Sequence, residues 1–262
     1  MAEHGGFGQP GHGCNWGESL GMGARWSPPP EASSGRLVVD LVRLWRYSQK
    51  CAPPSGAGAI MTKPITLAID TAAPRLQLAL LRADGQVDVE LVDIAKGHAE
   101  ILFGRLETLL ARNDLGYPDI ARIAVTTGPG SFTGLRIGLS AARGLGVARK
   151  IPVLGIPNLL ALSLSASAGP VAVLLDARRG EAYFELFETL GISLNGPRLL
   201  PMEQAVAAVP AGAELIQSPF VDIAAMARFA AAADPTAFPP HATYVRDADA
   251  KPQDAARIPR LA

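Results

Sequence analysis

Apolar and polar residues alternate in short segments from residue 64 onward, which is the pattern of half-buried strands. The apolar segment 65–70 predicts a buried strand, and the alternating segments 75–81 and 86–92 predict two more. Turn residues at 83–85 separate the last two segments and indicate a hairpin. The regular part of the chain therefore begins with three antiparallel strands.

The apolar spacing then changes to a helical period over residues 98–112. A strand at 120–126, a glycine-rich loop and a helix at about 133–148 follow. Further strands are predicted at 153–156, 171–177 and 181–187, with LGI and AELIQ as weaker candidates, and further helices at 158–166, 202–209 and 221–233. This order predicts an α/β protein with mixed sheets, in which a shorter second set of elements repeats the first.

This pattern divides the chain into three regions. Residues 1–61 are rich in glycine and proline, with only a short predicted helix at 37–47, so we expect a disordered extension. Met61 directly precedes the first strand, so the extension is interpreted either as a gene-model artefact or as a genuine tail. Residues 62–152 form the first half, and residues 153–262 form a smaller second half with an extended C-terminal segment.

Composition narrows the classes of function. The formal net charge is +0, so the chain lacks the basic excess of a nucleic-acid-binding domain. Its two cysteines, Cys14 and Cys51, form no metal-binding pair and suit a reducing compartment. No segment has the length and apolarity of a membrane span, and no secretory signal is evident. We expect a cytoplasmic protein without a membrane partner.

The glycine-rich segment TTGPGSFTGLRIG, residues 126–138, resembles a phosphate-binding loop at first sight. A Walker loop needs a lysine, a dinucleotide loop needs GxGxxG and a nucleophile elbow needs GxSxG, and the segment has none of these. A tight turn from strand to helix is the better interpretation, with an anion site at the helix N-terminus as the alternative. Ser131 or Thr133 can cap that helix, while Arg136 in its first turn opposes the helix dipole unless an anion neutralises it.

Histidine chemistry has few candidates in this chain. His4 and His12 lie in the N-terminal region, which leaves His98 and His241. Leu102 stands one helical turn after His98, where a second metal ligand is needed, and HExxH is absent. A solvated or helix-capping role is the simpler interpretation of His98. We expect no catalytic residue and no metal site.

Small residues recur every four positions along the second helix, at Gly134, Gly138, Ala142 and Gly146. Interior glycines each cost a helix about 1 kcal/mol relative to alanine, so the row suggests that another helix approaches closely. The partner is either the helix at 98–112 or a helix of another subunit. We expect Gly138→Leu to abolish pairing or fold stability.

Four segments together carry a family resemblance: AIDTAAPRLQLAL, TTGPGSFTGLRIG, LLDARRGEAYF and YVRDADAKPQD. They resemble TsaB (YeaZ), a family of the bacterial machinery that makes threonylcarbamoyladenosine in tRNA. The resemblance covers about residues 64–250. It implies an actin/hexokinase-like ATPase fold, an α/β fold of two ribonuclease H-like halves with mixed sheets.

The resemblance also implies roles for individual residues. In that superfamily the hairpin after the first strand holds phosphate, as Asp70 and Thr71 would here, and Asp176 occupies the matching place in the second half. Asp70 equally often just caps the next turn. The candidate anion or nucleotide contacts are Asp70, Thr71, Ser131, Thr133, Arg136 and Asp176. Because TsaB pairs with TsaD through helices of its first half, the candidate partner-binding residues are His98, Leu102, Arg105, Gly134, Gly138, Ala141, Ala142 and Gly146.

The implied function is that of a non-catalytic scaffold and activator for threonylcarbamoyl transfer to N6 of the tRNA adenosine 3′ of the anticodon. The implied partners are TsaD, as the other subunit of a heterodimer, and the ATPase TsaE. These partners would use ATP and a metal ion, and tRNA would be reached through the complex. In isolation the chain would form a homodimer. Leu102 replaces the second histidine of TsaD-like proteins, which favours this interpretation. The alternative is an ATP-binding hydrolase that uses Asp70 and Asp176. A metalloprotease would need ligands that the sequence lacks.

Overall fold

The computed structural model describes residues 63–245. The predictions for residues 1–61, including the helix at 37–47, and most of the segment YVRDADAKPQD lie outside this range. Within it, the predicted strands and helices are confirmed with small shifts of the boundaries, and one further short strand is present at Arg198–Pro201.

The first sheet contains five strands. They are β1 (Thr66–Ala73), β2 (Arg75–Leu81), β3 (Val87–Asp93), β4 (Arg122–Thr126) and β5 (Val153–Ile156), in the order β3-β2-β1-β4-β5. The first three strands pair antiparallel, and β4 and β5 extend the sheet in parallel with β1. The mixed sheet is thus confirmed. Strand β5, which we assigned to the second half, pairs with β4 and belongs to the first sheet.

Helices cover both faces of the first sheet, because β1 and β4 carry apolar side chains that point alternately to opposite faces. Helices α1 (His98–Ala111) and α2 (Phe132–Arg149) pack on the face that includes Leu67 and Ile69. On the other face, Ala68 and Ala124 lie in a core shared with α3, Asn158–Ser163. Helix α1 buries four leucines, as its periodicity predicted: Leu102, Leu106, Leu109 and Leu110.

The second sheet has the order β10-β6-β7-β8, with β9 paired to β7. Its strands are β6 (Val171–Arg178), β7 (Glu181–Thr189), β8 (Ile192–Ser193), β9 (Arg198–Pro201) and β10 (Glu214–Ile216). Strand β9 was not predicted, because its four residues RLLP show no alternation and are defined as a strand only by pairing with β7. Helix α4 (Met202–Ala207) packs on this sheet through Ala205.

Helix α5 (Ile223–Ala232) joins the second half to the first sheet. It buries Met226 and Ala227 in the same core as Ala68 and Ala124. The guanidinium of Arg122 in β4 donates to the carbonyl oxygens of Ala230, Ala231 and Ala233 at 2.6, 3.2 and 2.7 Å. These acceptors lie at the C-terminus of α5, where a cation is favourable.

After α5, one turn of 3-10 helix (Pro235–Ala237) leads into an extended segment that returns to the first half. The backbone N–H of Gly155 in β5 donates to the carbonyl oxygen of Phe238 at 2.9 Å. Further on, the N–H of Thr243 donates to the carbonyl oxygen of Thr127 at 2.8 Å. The segment 238–243 is therefore held beside β5 and beside the start of the glycine-rich loop, a contact that the sequence alone did not indicate.

Candidate functional site

The carboxylate of Asp70 lies at the end of β1 and is fully buried. Its Oδ1 accepts hydrogen bonds from the Ala72 N–H at 2.9 Å and from the Thr126 hydroxyl at 2.7 Å. Its Oδ2 accepts a bond from the Gln77 amide at 3.0 Å. Burial raises the pKa of this carboxyl, and the three hydrogen bonds oppose that rise. The bond to Ala72 is the turn cap that we weighed against a nucleotide contact.

Thr71 is also engaged within the fold. Its hydroxyl donates to the carbonyl oxygen of Gly134 in α2 at 2.7 Å. A Cβ added at Gly134 would overlap the Thr71 carbonyl oxygen, and one added at Gly138 would lie 2.6 Å from the Thr71 hydroxyl. Because these two positions have no side chain, α2 packs in close contact with β1.

The small-residue row was therefore wrongly assigned to the approach of a helix. Gly134 and Gly138 meet β1, and a Cβ at Gly146 would overlap the side chain of Val153 in β5. The row packs on the first sheet of its own chain. Most of the residues that we assigned to partner binding are buried in the folded chain: His98, Leu102, Gly134, Gly138, Ala141, Ala142 and Gly146.

The structure changes one further assignment on α1, that of His98, and leaves that of Arg105 open. His98 is neither solvated nor capping, because it is 6% exposed and the helix N-cap is Gly97, in the left-handed region at φ 91°. Its Nε2 is buried and has no hydrogen-bond partner among the described residues. Arg105 is exposed, as a partner contact requires, and its guanidinium donates to Glu90 in β3 at 3.2 Å.

The glycine-rich loop is a turn that hydrogen bonds hold to the neighbouring strand and helix. The Ser131 N–H donates to the Ala72 carbonyl oxygen at 2.8 Å, and Gly128 and Asn158 exchange two bonds, with the Gly128 N–H donating to the Asn158 side chain at 3.1 Å. Ser131 is the N-cap of α2, and its hydroxyl oxygen accepts the Gly134 N–H at 3.3 Å. The turn and cap interpretations are confirmed, while anion binding stays a prediction.

The candidate anion contacts lie in three separate places. Asp70 and Thr71 are buried beneath α2. Thr133 and Arg136 lie on the outer side of that helix. Asp176 is exposed at the end of β6, in the other sheet, where its Oδ1 accepts the Arg178 N–H at 2.7 Å.

An open groove of about 580 Å³ runs between α1 and α2, and we call it the helix groove. Six residues give it its character: Leu102, Phe103, Phe132, Thr133, Arg136 and Ile137. Phe103 is 45% exposed and Phe132 is 55% exposed, on opposite sides of the groove. Such exposed aromatic rings beside an apolar floor are typical of a protein-binding surface.

Arg136 supplies the charge of the helix groove. Its guanidinium lies 3.7 Å from the centroid of the Phe132 ring, one helical turn away. Within residues 63–245 no carboxylate forms an ion pair with it. The ring of Tyr244 lies 5.8 Å from that of Phe132, so the C-terminal segment reaches the groove's edge.

Sequence reasoning missed the two phenylalanines, because one exposed apolar residue on a helix is common and indicates nothing by itself. Two other searches concern the described residues only. Residues 63–245 contain no group of three or more histidine, cysteine, aspartate or glutamate side chains placed to hold a metal ion. In the same range, no helix combines the length and apolarity that crossing a membrane requires.

Comparison with known proteins gives consistent similarities. A family model described as TsaD, tRNA N6-adenosine threonylcarbamoyltransferase, matches residues 92–217. The chain is 34% identical over 124 residues to the tRNA threonylcarbamoyladenosine biosynthesis protein TsaB of Bacillus subtilis, a match covering 47% of this chain and 54% of that protein. The chain thus spans about half the length of that relative. An uncharacterized protein of Mycobacterium tuberculosis is 36% identical over 169 residues, covering 60% of this chain and 77% of the relative.

Two solved structures from Pseudomonas aeruginosa share the fold. One, described as an uncharacterized protein with similarity to peptidase YeaZ, is 30% identical with a TM-score of 0.53 and covers 58% of this chain and 73% of that one. The other, YeaZ, is 25% identical with a TM-score of 0.56 and covers 63% of this chain and 89% of that one.

Proposed function

The chain belongs to the TsaB (YeaZ) family and has the actin/hexokinase-like ATPase fold, and from this we propose that it is a non-catalytic scaffold and activator in the synthesis of threonylcarbamoyladenosine in tRNA. In this role it binds TsaD, the subunit that transfers threonylcarbamoyl to N6 of the adenosine 3′ of the anticodon. TsaE joins the complex as an ATPase, and tRNA is reached through the complex.

The observation that carries this proposal is the helix groove. Phe103 and Phe132 expose 45% and 55% of their surface on either side of an apolar floor, with Arg136 beside them. Aromatic residues and arginine supply most of the binding energy in protein interfaces. The pair α1–α2 thus offers a partner two helices and a cleft into which apolar side chains fit.

The environment of Asp70 favours the scaffold over the ATP-binding hydrolase. Its carboxylate is fully buried and accepts three hydrogen bonds, from Ala72, Gln77 and Thr126. Contact with a nucleotide or its metal ion would require the carboxylate to leave these partners. Each buried donor left unsatisfied would cost about 1–3 kcal/mol.

The test is a matched pair of variants of the full chain, each mixed with TsaD and followed by size-exclusion chromatography and titration calorimetry. We expect Phe103→Glu to weaken binding of TsaD at least about 30-fold, the effect of losing an interface hot spot. The control is Val206→Glu, since Val206 is 53% exposed on α4 of the second half. It should bind TsaD like the wild type.

Reconstitution of the tRNA modification completes the test. With TsaD and TsaE present, modification should fall when this chain is omitted and when Phe103→Glu replaces it. Undiminished binding by Phe103→Glu would show that the helix groove is not the interface. Undiminished modification without this chain would exclude the activator role, and ATP turnover by the chain alone would support the hydrolase instead.

A further inference from the structure

The C-terminal segment of the described chain runs directly to the helix groove. Thr243 is fixed by the hydrogen bond from its N–H to the Thr127 carbonyl oxygen, at 2.8 Å. The Thr243 carbonyl oxygen lies close against Gly128, where an added Cβ would be 2.7 Å from it. The next residue, Tyr244, places its ring 5.8 Å from Phe132, a residue of the groove wall. The chain therefore leaves Val245 at one end of the groove.

The residues that follow supply carboxylates, which the groove lacks, with Arg246 and Lys251 on either side of them in the sequence. Arg136 has no carboxylate partner within residues 63–245, and the sequence after Val245 contains Asp247 and Asp249. Asp247 is three residues beyond Tyr244, which corresponds to a reach of about 10 Å in extended chain. Arg136 is one helical turn, about 6 Å, beyond Phe132. The distances allow a direct ion pair.

The spacing of the segment also suits the groove. In an extended chain, Asp247 and Asp249 point to the same side, and Ala248 and Ala250 point to the other. Small side chains can pass between Phe103 and Phe132, both of which remain exposed. Further on, Ile258 is a branched apolar residue suited to the apolar floor formed by Leu102 and Ile137.

We propose that residues 246–258 lie in the helix groove of the free protein and compete there with the binding of another protein. The tether makes this contact effective, because a short linker gives an effective concentration in the millimolar range. A partner must then displace the segment. The proposal rests on the proposed function only for the identity of the competing protein, TsaD.

The segment's position is tested by thiol labelling of the full chain. The reporter is Ser140→Cys, since Ser140 lines the groove and is exposed, and its labelling by a maleimide is followed by mass spectrometry of its own peptide, so that Cys14 and Cys51 do not contribute. We expect Asp247→Arg with Asp249→Arg to raise the labelling rate at least about fivefold, since the tethered contact is lost. Ile258→Asp should act in the same direction.

Two controls isolate the effect. Asp254→Arg makes the same type of substitution on the same segment outside the proposed ion pair, with half the charge change of the double variant, and should leave the rate nearly unchanged. Cysteine at Ala148, exposed on α2 outside the groove, should be labelled equally fast in all backgrounds. If position 140 is labelled at one rate regardless of the residues at 247, 249 and 258, the proposal is overturned.

Competition is measured separately with TsaD. The variant Asp247→Arg with Asp249→Arg should bind TsaD at least about threefold more tightly than the wild type, because the competing contact is weakened. Equal affinities would overturn the competition. If TsaD binds neither protein, the proposed function fails, while the labelling result still decides whether the segment lies in the groove.

Discussion

Each half of the chain has a hairpin whose first strand carries an aspartate near its end, and the two aspartates lie in opposite surroundings. In β1 the Ala72 N–H donates to Asp70 Oδ1 at 2.9 Å, and in β6 the Arg178 N–H donates to Asp176 Oδ1 at 2.7 Å. Both hairpins shift register just after the aspartate. The aspartate thus makes the same local Asx turn in the two halves, although the hairpin loops differ in length.

Packing makes the two aspartates different. Asp70 is fully buried beneath α2 and also binds Thr126 from the neighbouring strand β4. Asp176 is exposed, because the neighbouring strand β10 pairs with β6 only from Val171 to Val173 and ends before the hairpin. The comparison shows that the covering elements, and not the turn, set the role of each carboxylate. In the first half that role is structural.

A substitution in helix α2, which packs over the first hairpin, gives the largest expected effect. In Gly134→Ala the new methyl group would overlap the Thr71 carbonyl oxygen, so α2 must move away from β1. We expect the free energy of unfolding to fall by about 3 kcal/mol or more, the upper range for overpacking, with loss of soluble protein. Urea denaturation followed by circular dichroism measures it.

The second hairpin supplies the matched control. Gly180 has open space around it but φ +75°, so Gly180→Ala should cost only the strain of a left-handed alanine, about 1 kcal/mol. The comparison fails if both variants lose stability equally. Gly138→Leu should lower the free energy of unfolding as Gly134→Ala does, because the added side chain would disrupt the packing of α2 on the first sheet.

Substitution of the buried carboxylate gives an effect of similar size. Asp70→Ala leaves the Gln77 amide, the Thr126 hydroxyl and the Ala72 N–H without their buried acceptor. We expect it to lower the free energy of unfolding by about 3–5 kcal/mol, whereas Asp176→Ala, which loses one exposed bond, should cost about 0.5–1 kcal/mol. Thermal denaturation ranks the two. Similar losses would mean that burial does not distinguish the hairpins.

The sequence predicted the strands well where alternation or apolar continuity was clear, as in β1 and β2. It also predicted the strand-to-helix turn and its Ser131 cap, because capping and turn chemistry are local. Both depend on residues that are near one another in the chain. Local patterns therefore recover the elements and the turn of the candidate site.

The features that the sequence could not predict depend on which element packs against which in the folded chain. The row of Gly134, Gly138 and Gly146 shows that something approaches closely, but a sheet and a helix leave the same pattern in one chain. The helix groove was missed for a similar reason, since Phe103 and Phe132 are far apart in sequence and adjoin one cleft only in the folded chain. The anchoring of Thr243 to Thr127 is equally non-local.

The last expected effect depends on pH and concerns the buried carboxylates of the two halves, Asp70 and Glu185. Glu185 in β7 is 4% exposed, and its carboxyl group accepts a hydrogen bond from the Ser193 hydroxyl at 2.6 Å. Burial raises its pKa from 4.5 to about 7. Because the folded-state pKa is the higher one, the stabilising contribution of the protonated form is complete below pH 4.5 and is lost as the pH rises through about 7.

Glu185→Gln removes this titration while keeping the shape of the side chain and a group able to bond Ser193. Between pH 5 and 8 the wild type should lose up to about 3 kcal/mol of unfolding free energy relative to the variant. Urea denaturation at several pH values measures the difference, and Asp70, which is common to both proteins, cancels from it. Parallel pH profiles would show that the fold compensates the charge of Glu185.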